Sequence, residues 1–416
     1  QGRPVDLALS PDGTVLAVKN RNEIVFIDAN THEIEQKLAV PKGGASWTGV
    51  AWSPAGPTVW TTSTDGTLRS ALRQDDGSFA WLGDWAMPAP SVGGSPAPAG
   101  FALDDTSHVA YVALSRSNTV AVVDASQGNV ETEIPVGIAP YTALLLDGKL
   151  YVTNWGGRRP VEGDTTGPTS GSRAVVDPET GIASSGTVSV IDTATRAVVA
   201  EIAVGLHPSG MASSPDGKTL YVANANSDTV SVIDTTTNSV TSTLDAKPLP
   251  ALPFGSAPNA LAVSPDGSTL YVANGGNNAI AVIDLSTETL RGLIPTGWYP
   301  GAVKVSPDGA TLFVANTKGI GSRATRREHG YNSHDYMGTV SFIPVPSDEE
   351  LAQHTLTAAA NMRLPSMLAA MDAAAVPARV VPVPTKPGET SVFKHVIYII
   401  KENRTYDQIF GDMEQG

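Results

Sequence analysis

Pro208–Asp234 (PSGMASSPDGKTLYVANANSDTVSVID) and Pro258–Asp284 (PNALAVSPDGSTLYVANGGNNAIAVID) are two copies of one repeat. A third stretch, Pro300–Asn316 (PGAVKVSPDGATLFVAN), opens in the same way. Alternating or continuous apolar runs are separated by turns that contain Asp, Asn, Gly and Ser. These residues favour tight turns because they tolerate positive φ or hydrogen-bond their own backbone. The pattern predicts four short strands per unit, joined by hairpins.

Weaker copies extend the repeat over most of the chain. They begin at Arg3–Gly13, Thr48–Gly56, near Ala99 and at Tyr141–Asp147, which makes seven units in all. Successive SPDG-like turns lie roughly 42 to 51 residues apart, except where the fourth unit carries an insertion. Four-stranded units of this period are typical of a β-propeller. We therefore expect an all-β fold, a seven-bladed β-propeller over residues 1–346.

Composition narrows the classes of function. The 416 residues carry a net charge of −14, so the global field does not favour nucleic acid as a partner. No apolar run approaches the length of a membrane span. The chain has no cysteine, which excludes disulfides and thiolate metal sites and leaves a haem-attachment or redox interpretation unsupported.

The tetrads YVTN (151–154) and YVAN (221–224, 271–274) resemble the YVTN-repeat family of seven-bladed propellers over roughly residues 3–346. That resemblance implies the fold and little about function, because propellers host many unrelated activities. Polar residues that recur in the units are interpreted as turn or strand caps. They are Asn154, Asn224, Asn274 and Asn316, then Asp28, Asp124, Asp192, Asp234 and Asp284, and the SPDG residues Asp12, Asp216, Asp266 and Asp308.

Departures from the repeat gather on one face of the predicted ring. Strands of a blade alternate in direction, so loops between second and third strands share a face with the connections between blades. The long segments of this kind are Trp155–Gly186, Thr317–Gly338, Met87–Ala99 and Asp245–Pro258. We call this the long-loop face and the opposite one the SPDG face. Long loops on a rigid scaffold often carry function.

Two charged clusters lie in these insertions. One contains Arg158 and Arg159, and the other contains Arg323, Arg326, Arg327, His329 and His334. One interpretation makes them phosphate-binding or docking contacts for a protein or cell-surface partner. The other makes them solvated loops. Trp155, Trp298 and Tyr299 either line the central mouth on this face or serve packing. We expect no cofactor in the propeller, and we find no clear acid–base set for a lactonase-like propeller enzyme.

The last unit and the connector differ from the blades. Blade seven lacks an obvious fourth strand after Gly338–Val345, so we expect that strand to precede Gln1 or to be supplied by Arg379–Val383. Residues 347–391 form a helical connector and a Pro-rich linker, with Ser347 as an N-cap and a break at Pro365.

The chain ends in a different pattern, FKHVIYIIKENRTYDQIFG (393–411). The apolar run before Lys401 predicts the first strand of an α/β domain, buried on both faces. Ligand sites in such sheets lie at the carboxyl ends of strands, where Glu402 and Asn403 follow. On spacing alone, such a pair often caps a following helix or simply meets solvent. Residues 392–416 are too short to bury a core, so we expect a truncated domain.

HVIYIIKENRTYDQIFGD also resembles the opening motif of the phosphoesterase family within the alkaline phosphatase superfamily. The resemblance implies that Glu402 and Asn403 are ligands of a divalent metal ion, with Arg404 near phosphate. It implies a parent enzyme that hydrolyses a phosphate ester and is exported to the periplasm, secreted or held at the cell surface. Because the family's nucleophile and remaining ligands would lie beyond Gly416, we expect these 416 residues to be inactive by themselves. The alternative is a non-enzymatic propeller that binds a protein, glycan or cell-surface partner.

Overall fold

The computed structural model describes residues 2–320, 337–373, 382–383, 391–395 and 397, and these show seven antiparallel sheets arranged as blades. The all-β, seven-bladed prediction is confirmed. Blade one contains β1 (Asp6–Leu9), β2 (Val15–Lys19), β3 (Glu23–Asp28) and β4 (Ile34–Ala39). Blade two contains β5 (Ala45–Trp52), β6 (Thr58–Ser63), β7 (Thr67–Arg73) and β8 (Phe79–Ala86). Blade three contains β9 (Pro98–Asp104), β10 (Val109–Leu114), β11 (Thr119–Asp124) and β12 (Asn129–Pro135).

Blade four is interrupted by a small hairpin. It contains β13 (Pro140–Leu146), β14 (Lys149–Asn154), β17 (Gly186–Asp192) and β18 (Ala197–Val204), with β15 (Thr166–Thr169) and β16 (Ser172–Val175) forming a separate two-stranded sheet. Blade five contains β19 (Pro208–Ser213), β20 (Thr219–Asn224), β21 (Thr229–Asp234) and β22 (Ser239–Asp245). Blade six contains β23 (Pro258–Val263), β24 (Thr269–Asn274), β25 (Ala279–Asp284) and β26 (Thr289–Pro295).

Blade seven contains β27 (Pro300–Val305), β28 (Thr311–Asn316) and β29 (Thr339–Pro344), and the part of the chain that is described adds no fourth strand to it. Residues 379–381 lie outside that part, so the segment proposed to close this blade stays a prediction. The first strands of successive blades contact one another, and β1 contacts β27. The ring is therefore closed between blades one and seven at its inner strands.

The apolar core lies between neighbouring blades. Phe26 of blade one stacks on Phe79 of blade two, with ring centroids 3.5 Å apart. On the other side of blade one, Leu7 and Leu16 pack with Phe313 of blade seven, and all three side chains are almost fully buried. The sheet of blade one is thus covered on both faces, which explains the nearly continuous apolar runs of its middle strands.

The recurring polar residues hold the blades together locally. In the SPDG turns the Ser hydroxyl donates to the Asp carboxylate, as from Ser214 to Asp216 at 2.6 Å. The recurring Asn works differently from a turn cap. Asn224 is fully buried, and its Nδ2 donates to Thr229 Oγ1 at 3.1 Å and Ser231 Oγ at 3.0 Å across the sheet. Asn154 and Asn316 bond the third strand of their blades in the same way, whereas Asn274 Nδ2 donates to Ala246 O at 2.7 Å.

Two helices follow the blades, α1 (Asp348–Asn361) and α2 (Leu364–Ala373). Ser347 caps α1 in a reciprocal arrangement in which its backbone N–H donates to Glu350 Oε2 at 2.9 Å and its Oγ accepts from Glu350 N at 3.4 Å. The helices separate at Arg363, which has a φ of 55°. Pro365 lies in the first turn of α2, where its missing N–H costs nothing.

The chain divides into two compact units, residues 1–358 and 359–416. Within the first unit, Leu351 of α1 is buried with Ile294 of blade six, and the partly buried Ile343 of blade seven packs against the same cluster. Thr355 Oγ1 accepts a hydrogen bond from Leu293 N at 2.9 Å. The first helix therefore covers the outer part of blades six and seven. No described helix is long and apolar enough to cross a membrane.

Candidate functional site

The loops that lead into the first strand of each blade lie on the long-loop face, and we call them entry loops. Several of them share one backbone conformation. Where a blade begins with a proline, the preceding residue often has a positive φ. These residues are Ala97, Ala139, His207, Ala257 and Tyr299, with φ between 48° and 57°. A side chain in this region costs roughly 1–2 kcal/mol, so the surroundings must hold it there.

Side chains of the preceding blade supply that restraint. The backbone N–H of Tyr299 donates to Asn278 Oδ1 at 2.9 Å, and that of Ala139 donates to Asn118 Oδ1 at 2.8 Å. Ala257 N donates in the same way to Asp228 Oδ1, at 2.9 Å. Three of the five entry residues are thereby fixed to the preceding blade.

Exposed aromatic side chains lie in or beside the segments of the long-loop face in three blades. Trp47 is 60% exposed, Trp155 and Trp298 are each 46% exposed, and Tyr299 is 39% exposed. Large aromatic residues normally bury most of their surface. The long-loop face therefore presents indole and phenol rings to solvent. That Trp155, Trp298 and Tyr299 line the central mouth, rather than serve packing, stays a prediction.

Cationic or ionisable groups pair with three of the rings. The Arg3 guanidinium lies 4.8 Å from the Trp47 ring centroid, and Lys318 Nζ lies 5.3 Å from that of Tyr299. The His207 imidazole packs on Trp155 with centroids 4.7 Å apart. Burial lowers the pKa of His207 below its ordinary value, so the ring is mainly neutral at pH 7. These contacts hold the rings in place while leaving part of each surface open.

Asp6 and Tyr141 belong to the inner strands β1 and β13. Burial raises the pKa of Tyr141, and the Asp6 carboxylate and the Tyr299 phenol add to that effect. Asp6 Oδ2 accepts from Thr48 Oγ1 at 3.0 Å and from Gly49 N at 2.7 Å in the next blade. The carboxylate thus joins two inner strands, and the phenol of Tyr141 stays protonated at neutral pH.

The structure places Arg158 and Arg159 in the base of the blade-four insertion. Arg158 forms a bidentate ion pair with Asp164, at 2.6 and 2.7 Å. This pair, together with the Val161 N–H, lowers the pKa of Asp164 to about 2. Arg159 donates to Val136 O at 2.6 Å and Asn118 O at 2.7 Å in blade three. Arg158 is thus paired within the insertion and Arg159 anchors the insertion to blade three, so a phosphate would have to compete with these internal acceptors.

The remaining predicted site residues lie outside the described part of the chain. They are Arg323, Arg326, Arg327, His329 and His334 in the blade-seven insertion, and Glu402, Asn403 and Arg404 after the terminal strand. Their roles stay predictions. Among the residues that the structure does describe, no group of three or more His, Asp or Glu side chains is placed to hold a metal ion.

Lys19 was missed by the sequence reasoning. Its side chain is fully buried between blades one and two, and Nζ donates to Thr48 O at 2.6 Å, Gly49 O at 3.0 Å and Ser46 Oγ at 2.9 Å. Burial lowers the pKa of Lys19 to about 7, and nearby Asp6 acts in the opposite direction. Aligning the repeats would have revealed it, because Lys19 occupies the position at which the strong repeats have the Ala of YVAN.

Comparisons with known proteins agree with this architecture. Residues 204–328 match the family model described as "Lactonase, 7-bladed beta-propeller", a span of less than a third of the chain. The fold is that of a seven-bladed β-propeller. Hydrazine synthase of Kuenenia stuttgartiensis has a similar solved structure, with a TM-score of 0.62 and 19% identity over 83% of this chain and 96% of that chain. At this identity the likeness shows the fold alone. A search of curated proteins found no match.

Proposed function

We propose that the propeller is the recognition module of a metal-dependent phosphoesterase, and that its long-loop face binds the enzyme's target. The observation that carries the recognition role is the set of exposed aromatic rings on the long-loop face. Trp47 lies in β5, Trp155 directly follows β14, and Trp298 and Tyr299 share the connection between β26 and β27. Tryptophan, tyrosine and arginine are the residues most enriched where binding energy is concentrated.

The groups on the inner strands favour binding over a hydrolytic reaction within the propeller. A lactone hydrolase of this fold would need a general base near the channel. Asp6 uses one carboxylate oxygen to join neighbouring inner strands, and the raised pKa of Tyr141 keeps its phenol protonated. The match to the lactonase family model therefore supports the architecture, whereas the geometry of Asp6 and Tyr141 favours a binding role.

The phosphoesterase part of the proposal rests on the sequence of residues 393–411. Glu402 and Asn403 supply hard oxygen ligands suited to a divalent cation, and Arg404 supplies a contact to phosphate. When bound, such a cation polarises a phosphoryl oxygen towards attack. An exported enzyme of this kind would use the propeller to dock at a cell surface. A propeller that binds without any enzymatic partner is the alternative.

Recognition is tested by binding of the labelled protein to cell-envelope material from its source organism. We expect Trp155→Ala and Trp298→Ala each to weaken binding, by up to about thirtyfold for a central anchoring residue worth about 2 kcal/mol. Val199→Ala removes a similarly exposed apolar side chain from the outer strand β18 and should leave binding unchanged. Equal binding by all three variants would overturn the assignment of this face.

The enzymatic part is tested on the protein as isolated from its source. Hydrolysis of bis(p-nitrophenyl) phosphate should require an added divalent cation and should be lost in Glu402→Ala. Glu414→Ala, twelve residues further along the chain, serves as the matched control. Absence of cation-dependent turnover in the isolated protein would leave the propeller as a binding module and remove the phosphoesterase.

A further inference from the structure

A cleft on the SPDG face lies between blades two and three, away from the long-loop face. Its volume is about 290 Å³, near the lower end of the range for small-molecule sites. The side chains that define it are Trp60, Leu82, Leu103, Asp104, Asp105 and His108. None of the functions discussed above uses these residues.

The cleft lies beside the turn of blade two, which lacks the Asp found in the SPDG turns. Blade two reads SPAG, with Ala55 at the place of the turn Asp. Asp105 of blade three replaces the missing acceptor. Its Oδ2 accepts hydrogen bonds from Ser53 Oγ and from Ala55 N, each at 2.7 Å. In blade one the corresponding bond is local, from Ser10 Oγ to Asp12 at 2.6 Å. A carboxylate that normally belongs to one turn therefore bridges two blades at the wall of the cleft.

Apolar groups form the opposite part of the wall. Trp60 stacks on Trp85 with ring centroids 4.7 Å apart and an interplanar angle of 26°. Leu82 is 62% exposed and Leu103 is partly buried. The indole of Trp60 is fixed by the stack, so the cleft has a rigid aromatic surface.

The ionisable groups of the lining, among the described residues, are the carboxyl groups of Asp104 and Asp105 and the imidazole of His108. No described lysine or arginine lines the cleft, so the two carboxylates have no permanent cation beside them there. Asp104 accepts bonds from its own turn, including Ser107 Oγ at 2.7 Å. Asp105 Oδ2 is used as described above, and Oδ1 has no hydrogen-bond partner among the described residues. An acceptor oxygen is thus available beside an aromatic wall.

We propose that this cleft binds a small organic cation, a primary ammonium carried on an apolar body. The ammonium would donate to Asp105, and the body would pack on Trp60 and Leu82, where an aromatic face also attracts the cation. The two interactions together explain why the cleft combines carboxylates with exposed apolar surface. This site is independent of recognition at the long-loop face.

The test uses benzylamine as the probe and protein containing 5-fluorotryptophan. The fluorine resonance of Trp60, assigned with Trp60→Phe, should move saturably on titration, while those of Trp155 and Trp298 stay in place. Benzyl alcohol has nearly the same shape without the charge and should bind at least about threefold more weakly, as expected for a part-exposed charge pair. The ammonium group could belong to a free aromatic amine or to a lysine side chain, and Nα-acetyl-lysinamide distinguishes the two. Weaker binding than benzylamine indicates a free aromatic amine, and equal binding indicates a lysine side chain.

Asp105→Asn keeps an acceptor for Ser53 and Ala55 but removes the charge, and should weaken benzylamine binding at least about threefold. Asp266→Asn makes the same change in the turn of blade six and is the matched control. Leu82→Lys places a competing cation at the exposed rim and tests the site without touching the bridge. The proposal fails if the Trp60 resonance shows no saturable movement, if the alcohol binds as well as the amine, or if both cleft variants bind like the control.

Discussion

Lys19 Nζ lies 2.6 Å from the carbonyl oxygen of Thr48, which joins blade one to blade two through a buried ammonium group. Three further oxygens surround the same nitrogen, those of Ser46, Gly49 and Thr62. Burying a charge is costly unless hydrogen bonds replace its water, and here they do. The remaining cost appears as a pKa of about 7, well below the ordinary lysine value of 10.5.

The first prediction concerns pH. Between about pH 7 and 10.5 the unfolded chain keeps a proton on Lys19 that the folded protein has lost, so the stability should rise with pH. The contribution is at most about 1.4 kcal/mol per pH unit. Thermal unfolding of Lys19→Met should lack this rise, whereas Lys218→Met, whose side chain is 77% exposed, should retain it. Parallel profiles for wild type and Lys19→Met would contradict the assignment.

The second prediction concerns the blade-four insertion. Asp164→Asn removes the ion pair with Arg158 and should make residues 155–186 more susceptible to limited proteolysis. Lowering the pH from about 4 to about 2 should have the same effect. The pKa of Asp164 is depressed to about 2 in the folded protein, so the stabilising contribution of its carboxylate is lost as the pH falls through that value. Glu162→Gln, an exposed neighbour, should leave the cleavage pattern unchanged. Identical cleavage of both variants would show that the pair does not anchor the insertion.

The third prediction concerns the buried asparagines. Asn224→Leu has a similar volume but removes the donor to Thr229 and Ser231. Leaving their hydroxyls without this donor should cost about 1–3 kcal/mol of unfolding free energy. Asn129→Leu changes an exposed residue at the start of β12 and should cost much less in the same urea titration. Comparable losses in the two variants would argue against the role assigned to Asn224.

The fourth prediction concerns the cover over blades six and seven. Leu351 is 4% exposed and packs in the core, whereas Leu356 on the same helix is 65% exposed. Leu351→Ala should therefore destabilise the propeller by about 2–5 kcal/mol, and Leu356→Ala should have little effect. Calorimetric unfolding of both variants measures the difference. Equal stability would mean that α1 does not contribute to the fold of these blades.

The sequence by itself determined the number of blades, the direction of their strands and the face that carries the long loops. It did so because turn residues and apolar periodicity act over a few positions and recur at a fixed period. The capping of α1 by Ser347 was predictable for the same reason, since the partner Glu350 lies three residues away.

Only the tertiary structure decided the contacts made between blades. Lys19 and Thr48 are separated by 29 residues, Arg159 and Asn118 by 41, and Asp105 and Ala55 by 50. Such pairs meet because the ring places neighbouring sheets face to face, which no local pattern records. The same closure turned the predicted anion-binding Arg159 into an anchor between the blade-four insertion and blade three.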